Sequence, residues 1–207
     1  GVADQVRRVL GIGKAAGFYY DVDPASQAIL LMVNTHLHHS ASHLRLAQLV
    51  ELAAELIRRS PLPGPVILTG DLNATPDSWE LRFLSDVLGL QNANREADPE
   101  CTYCSANPLS WSSQDRVLDY VLVRSHPSYE VSVISYDVNM KELDKVVPSD
   151  HYGVRAHLSI EEKATRPLPY SARRQTLTEV RKILLEAGGF ESSLSKLDAL
   201  DFTLLDR

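Results

Sequence analysis

Four short segments of this chain carry side chains whose types and spacing could do chemistry. The first, Asn34-Thr35-His36-Leu37-His38-His39, follows an apolar run. Alternate residues of a strand share a face, so His36 and His38 could project together, roughly 7 Å apart. Imidazoles at a strand end can ligate a metal or move protons. They can equally be solvated surface groups, the plainer reading for His38, His39 and His43. The second segment, Gly70-Asp71-Leu72-Asn73, follows Val66-Ile67-Leu68. Asp71 and Asn73 alternate, so they can face one ligand. The amide can donate to a phosphoryl oxygen while the carboxylate orients a water or holds a divalent cation. The same residue types also favour a plain turn.

The third segment, Asp115-Arg116-Val117-Leu118-Asp119-Tyr120-Val121-Leu122, sets Asp119 inside a stretch that otherwise wants burial. Burying an unpaired charge is costly, so Asp119 needs a partner. A salt bridge or backbone contact would satisfy it. The fourth is Pro148-Ser149-Asp150-His151-Tyr152. Adjacent Asp150 and His151 cannot pair by themselves. His151 needs another group to fix its tautomer, and Asp119 is the natural one. The resulting couple could take a proton from water. A zinc site on His36 and His38 is disfavoured, because Ser40 rather than an aspartate follows the histidines. Cys101-x-x-Cys104 is half of a zinc knuckle without a second pair, and His126 does not complete it. It also lacks the strand-to-helix setting of a redox C-x-x-C. Free thiols or a labile disulfide in a loop fit better. Trp79 and Trp111 read as packing residues, with Trp111 in a loop where a substrate could be gripped.

The elements that must position these groups are partly legible. Residues 18–21 and 28–34 suit two strands of a hairpin, with Asp23, Pro24 and Ser26 as turn chemistry. The second is apolar throughout, which suits burial on both faces. Residues 42–59 form an amphipathic helix through Leu46, Leu49, Val50, Ala53, Leu56 and Ile57, stopped by Pro61, Pro63 and Pro65. Residues 66–68 are a buried strand delivering a loop. Asp77 can cap a helix to about residue 88, with Glu80 as its capping-box partner. Residues 91–114 read as a long loop. Residues 117–124, 129–136 and 153–160 read as strands, the last alternating through Val154, Ala156, Leu158 and Ile160. Residues 161–171 read as a linker. Residues 176–188 form a helix with a Thr176-x-x-Glu179 start and a Gly-Gly stop, ahead of a short weak helix. Residues 1–16 resist assignment, and their Gly-Ile-Gly-Lys step opens no helix, so a phosphate loop fails. The mixture has no regular βαβ rhythm and points to an α+β fold with largely antiparallel sheets.

Composition narrows the class. The 207 residues are 44% hydrophobic and 23% charged, an ordinary globular balance. A net charge of −6 gives no electrostatic footprint for non-specific nucleic-acid binding. Two cysteines exclude a disulfide scaffold. The longest apolar run, residues 28–33, is far too short to cross a bilayer, and no secretory leader is visible. The chain starts at Gly1 with Met32 and Met140 internal, which reads as the edge of a cut.

In their order, T-H-L, G-D-L-N, D-Y-V-L and S-D-H, these segments resemble the endonuclease/exonuclease/phosphatase superfamily, founded on deoxyribonuclease I, over residues 18–160. Within it, T-H-L-H ahead of a helix with Arg45 and Gln48, together with L-T-G-D-L-N, D-Y-V-L and P-S-D-H, is similar to neutral sphingomyelinases. The resemblance implies a four-layer α/β/β/α sandwich, incomplete at the N-terminus, over residues 1–162, with 163–207 as linker and helical tail. It implies a Mg²⁺-dependent phosphodiesterase that hydrolyses sphingomyelin or a related phospholipid to ceramide and phosphocholine. The setting it implies is a membrane surface inside the cell, with no specific nucleic acid. By motif, His151 would be the general base held by Asp119. Asp71 and Asn73 would position the water and the scissile phosphate. His36 would stabilise developing charge, and Asp150 would lie near the metal. The superfamily's N-terminal metal-binding Asn and Glu have no counterpart ahead of Asn34, where Asp4, Asp21 and Asp23 sit in polar or turn contexts. Two other readings remain: a nuclease or deadenylase of the same fold, or an inactive fragment. A nuclease would want a basic groove with stacking aromatics, and only 4 Phe, 2 Trp and 8 Tyr are present, with no basic stripe.

Overall fold

Strands with no polar face form the centre of the larger sheet. The computed structural model describes residues 6–12, 15–23, 28–60, 62, 64–162 and 173–202. In β3 (Ala28–Thr35), Leu31 and Val33 enter one apolar cluster while Leu30 and Met32 meet another. In β4 (Val66–Asp71), Val66 and Leu68 go one way and Ile67 the other. This two-sided burial is what their unbroken apolar runs require. β1 (Val6–Ile12) and β2 (Ala15–Asp23) complete one side of the sheet, and β5 (Gln91–Asn92) and β6 (Asp119–Arg124) the other, in the order β1-β2-β3-β4-β6-β5. β3 and β4 run parallel, and all other neighbours run antiparallel.

Helices cover one face. α1 (Ser42–Arg58) buries Leu46, Leu49, Val50, Leu52, Ala53, Leu56 and Ile57 against it, the stripe its periodicity predicts. α2 (Trp79–Arg82) runs into a π-helical turn at Phe83–Val87. α3 (Arg173–Ala187) and α4 (Glu191–Ala199) add wholly buried Val180 and Leu184, and nearly buried Leu197, to the same cluster. β7 (Tyr129–Asn139) and β8 (Gly153–Glu162) pair antiparallel and close the other face. Val154, Ala156, Leu158 and Ile160 point inward there. The architecture is the expected α+β sandwich, and the described residues make three of its layers. None of their helices is long and apolar enough to cross a membrane.

Several local expectations change. Residues 6–12, which resisted assignment, are a strand because β2 offers them a ladder. The cap of α2 is Ser78, whose hydroxyl accepts the Leu81 N–H; Asp77 instead accepts the Thr75 hydroxyl at 2.7 Å. Thr176 does not start α3. It lies buried within the helix and donates to Asp86 at 2.6 Å, so tertiary contact overrides the capping pattern. The linker expected at 161–171 begins inside β8, and residues 163–172 lie outside the described ones, as does the turn at 24–27. Trp111 is 95% exposed and packs against nothing that would make it a core residue.

Candidate active site

Chain geometry at the ends of β3, β4 and β6 brings the first three segments together. Gly70 holds the key close approach. Its φ is +137°, and a Cβ there would lie 1.8 Å from the Thr35 carbonyl oxygen, so only glycine lets β3 and β4 meet at this rim. Asn34 ties the same strands by donating from Nδ2 to Thr69 Oγ1 at 2.9 Å. Asp71, the last residue of β4, then sits opposite Asp119, the first of β6. The next turn is built by Asn73, which adopts a φ of +50°, a left-handed conformation asparagine tolerates. Its backbone N–H donates to Asp71 Oδ1 at 2.8 Å. Its side-chain amide donates to the Leu37 carbonyl at 3.0 Å and to Asp71 Oδ2 at 3.2 Å. Both amide hydrogens expected to reach a phosphate are thus engaged inside the loop.

His151 closes the site from the approach to β8. Its Nδ1 lies 2.7 Å from Asp119 Oδ2, the pairing expected from sequence, and its Nε2 lies 4.0 Å from Asp71 Oδ2. His36 approaches Asp71 Oδ2 from the other side, at 3.4 Å through Nε2, and stays 57% exposed. His38 does not join it. β3 ends at Thr35, so strand alternation stops before the histidines. The His38 ring instead accepts the Ser40 N–H and stacks on His39 at 5.0 Å. His43 packs edge-on against Phe190. Asp150 neighbours His151 in sequence but does not join the Asp71–Asp119–His151 cluster.

The electrostatics follow from this placement. Burial pushes the Asp71 carboxyl above the usual carboxylate range, and the nearby Asp119 charge adds to it, against the opposing Asn73 N–H. The hydrogen bond that His151 donates to the Asp119 carboxylate holds the imidazole above its ordinary pKa, with the Asp71 and Asp150 charges helping. Asp71 is therefore a destabilised anion at neutral pH. Its raised folded-state pKa means the penalty appears as pH rises above the ordinary carboxylate range and fades on acidification. Asp71→Asn should accordingly raise Tm at pH 7, and thermal melts should show that gain shrinking toward pH 4.

Residues to which no chemical role was assigned from sequence hold the site in shape. Glu80, read from sequence as a capping partner, is 1% exposed and lies 2.7 Å from the Arg45 guanidinium. Arg45 also donates to the His38 carbonyl at 3.2 Å, while Gln48 accepts the His38 N–H at 2.9 Å. The two helix residues that carried the family likeness thus pin the turn that delivers His36. The Tyr120 hydroxyl lies 2.7 Å from the Ala74 carbonyl and 2.9 Å from that of Val117, joining the two loops. Tyr103 lays its ring on His151, centroids 4.7 Å apart. Cys101 and Cys104, flanking Tyr103, form a disulfide rather than free thiols.

Asp71, Asp119 and His151 could hold a metal ion, since one ligand atom from each lies within 4.8 Å of the others. Carboxylate oxygens suit a hard divalent cation. The close Asp119–His151 contact already occupies one atom of each. The set therefore fits such an ion through carboxylate oxygens in a partly hydrated shell, not as a closed cage.

An α+β sandwich with a paired His and Asp facing a second carboxylate at its rim is the layout of a phosphoester hydrolase. The chain matches the Endonuclease/Exonuclease/phosphatase family over residues 3–151, and it belongs to that family. Members are hydrolases acting on phosphoester bonds. Among solved structures, TDP2 of D. rerio in complex with a single-strand DNA product superposes with a TM-score of 0.56 at 18% identity, over 76% of this chain and 70% of that one. A conserved protein of unknown function from Enterococcus faecalis gives 0.53 at 23% identity, over 71% and 55%. A mannosyl-6-phosphatase from Bacteroides thetaiotaomicron gives 0.50 at 26% identity, over 70% and 55%. The chain thus spans little more than half the length of the last two. No curated protein matches it.

Proposed function

We propose that this chain carries the water-activating side of a Mg²⁺-dependent phosphodiesterase site that hydrolyses sphingomyelin, or a related phospholipid, at a membrane surface inside the cell. The products are ceramide and phosphocholine. The 2.7 Å contact between His151 Nδ1 and Asp119 carries the reading. It fixes the proton on Nδ1, leaving Nε2 as the base that takes a proton from the attacking water. Asp71 receives a hydrogen bond from that water beside Nε2. His36, exposed across Asp71, donates to a phosphoryl oxygen as charge builds there. Asn73 holds Asp71 and the Leu37 carbonyl in register and reaches the phosphate by releasing one of these bonds. Asp71 and Asp119 would offer carboxylate oxygens to Mg²⁺, with Asp150 next to His151 in sequence, and the bound ion would supply Lewis-acid polarisation of the phosphoryl group.

A lipid substrate is favoured by three observations. The net charge is −6, which suits a zwitterionic headgroup better than a polyanion. Arg45 and Gln48, part of the likeness to neutral sphingomyelinases, both hold the His36 turn. Leu109 and Trp111 expose apolar surface on the loop that follows Tyr103. The test is hydrolysis of sphingomyelin in mixed micelles, of a labelled oligonucleotide and of mannose 6-phosphate, each with Mg²⁺ and with chelator. Chelator-sensitive release of phosphocholine is the expected result. Turnover of the oligonucleotide or the sugar phosphate alone overturns the lipid assignment, and no turnover of any substrate favours the inactive-fragment reading.

A further inference from the structure

The two residues enclosed by the Cys101–Cys104 disulfide touch both halves of the proton-transfer couple. Thr102 is fully buried. Its hydroxyl oxygen accepts the backbone N–H of Leu118 at 2.9 Å and of Asp119 at 3.1 Å. Its carbonyl accepts the N–H of Tyr152, the residue after His151, at 2.7 Å. Tyr103 covers the imidazole itself. This two-residue strap therefore sets the backbone on the Asp119 side and on the His151 side, and the disulfide closes it, with Cα atoms 5.4 Å apart.

We propose that the Cys101–Cys104 bridge is a redox-modification site, and that its reduction loosens the Thr102–Tyr103 strap and misaligns Asp119 and His151. The functional consequence rests on the reading of those two residues as the acid–base couple. The reductant is a dithiol. One of its thiolates attacks Cys101 Sγ, the half-buried partner, the S–S bond breaks, and Cys104, 3% exposed, leaves as a thiolate. The second thiol of the reductant then displaces Cys101. The reductant ends as a disulfide, and its two protons end on Cys101 and Cys104. In a reducing compartment a bridge of this kind is transient rather than structural. The strap survives opening as part of the fold, because Thr102, Tyr103 and Arg116 keep their backbone ladder and Asn107 still donates to the Ser149 carbonyl at 3.0 Å. Reduction should therefore loosen it without unfolding the domain.

Amide hydrogen exchange on the whole chain, oxidised and after dithiothreitol, reads this without reference to turnover. Exchange at Leu118, Asp119 and Tyr152 should rise about tenfold or more on reduction, while Leu68 in the centre of β4 is unchanged. Cys101→Ser/Cys104→Ser should reproduce the reduced pattern without reductant. Thr102→Val, which keeps shape but removes the acceptor, should release Leu118 and Asp119 even when oxidised, and Thr102→Ser should not. Unchanged protection on reduction overturns the proposal. So does a gain in exchange with no fall in kcat on a phosphodiester the oxidised chain hydrolyses. If exchange responds as expected and the oxidised chain hydrolyses no phosphodiester, the hydrolase reading fails and the reducible strap stands.

Discussion

Replacing His151 by Ala is expected to lower kcat by about 10²–10⁴-fold, with KM changed far less and the fold retained. The ring is half-buried beneath Tyr103 and belongs to neither apolar cluster, so its loss opens little core. Asp119→Asn should fall in the same range by a different route. An amide can donate to Nδ1 and so stabilise the wrong tautomer, with the proton on Nε2, where the base must be free. The pH profiles separate the two variants. His151 works only when neutral, and Asp119 raises its pKa, so the acid limb of kcat lies above the ordinary imidazole range. Asp119→Asn should shift that limb to lower pH and lower the plateau. The same pair stabilises the fold most below the unfolded imidazole pKa, and this contribution fades as pH rises through the raised folded value. The Tm lost in Asp119→Asn should thus be larger at pH 5 than at pH 8. A profile left unmoved by Asp119→Asn would mean that Asp119 does not tune the base.

The segments that bear the chemistry were legible because their demands are local. Asp119 stands in an apolar strand and needs a partner, and His151 needs an orienting group, so the sequence makes Asp119 the natural candidate for His151 while leaving a salt bridge or backbone contact open to Asp119. Strand β8 and helix α1 were legible from periodicity, and β3 and β4 from unbroken apolar runs. What could not be read is what depends on distant surfaces. Glu80 and Thr176 both match a capping pattern, yet each is buried by a partner at least 35 positions away, Arg45 and Asp86 respectively. Asn73 carries the expected amide, but its hydrogens go to the Leu37 carbonyl and Asp71, an arrangement that needs β3 and β4 already side by side. The histidine run illustrates the opposite failure. Alternation pairs His36 with His38 only while the chain stays extended, and the strand ends at Thr35, before either of them. Thr102 gave no signal at all, since its value lies in two amides from residues 16 and 17 positions on.

Glu80→Ala should be the most destabilising single change outside the apolar core, by roughly 3–5 kcal/mol, about 10 °C or more in Tm for a chain of this size. The Arg45 side chain is 12% exposed and loses the carboxylate that neutralises it. The exposed pairs Arg155–Asp137 and Arg181–Asp198 lie at similar distances but in water, and breaking them should move Tm little. A buried ion pair is roughly matched in stability by apolar groups of the same volume, so Arg45→Leu/Glu80→Leu should recover much of the lost Tm. It cannot recover the bond from Arg45 to the His38 carbonyl. The turn that aims His36 at Asp71 then keeps Gln48, Asn73 and the bond from the Leu37 N–H to the Asp71 carbonyl but loses its guanidinium clamp, and kcat should remain depressed although the protein is stable. Differential scanning calorimetry beside steady-state kinetics on the double variant separates the two roles. Recovery of both Tm and kcat would reduce the Arg45–Glu80 pair to packing. Recovery of Tm alone would show that α1 and α2 together aim a histidine that neither of them carries.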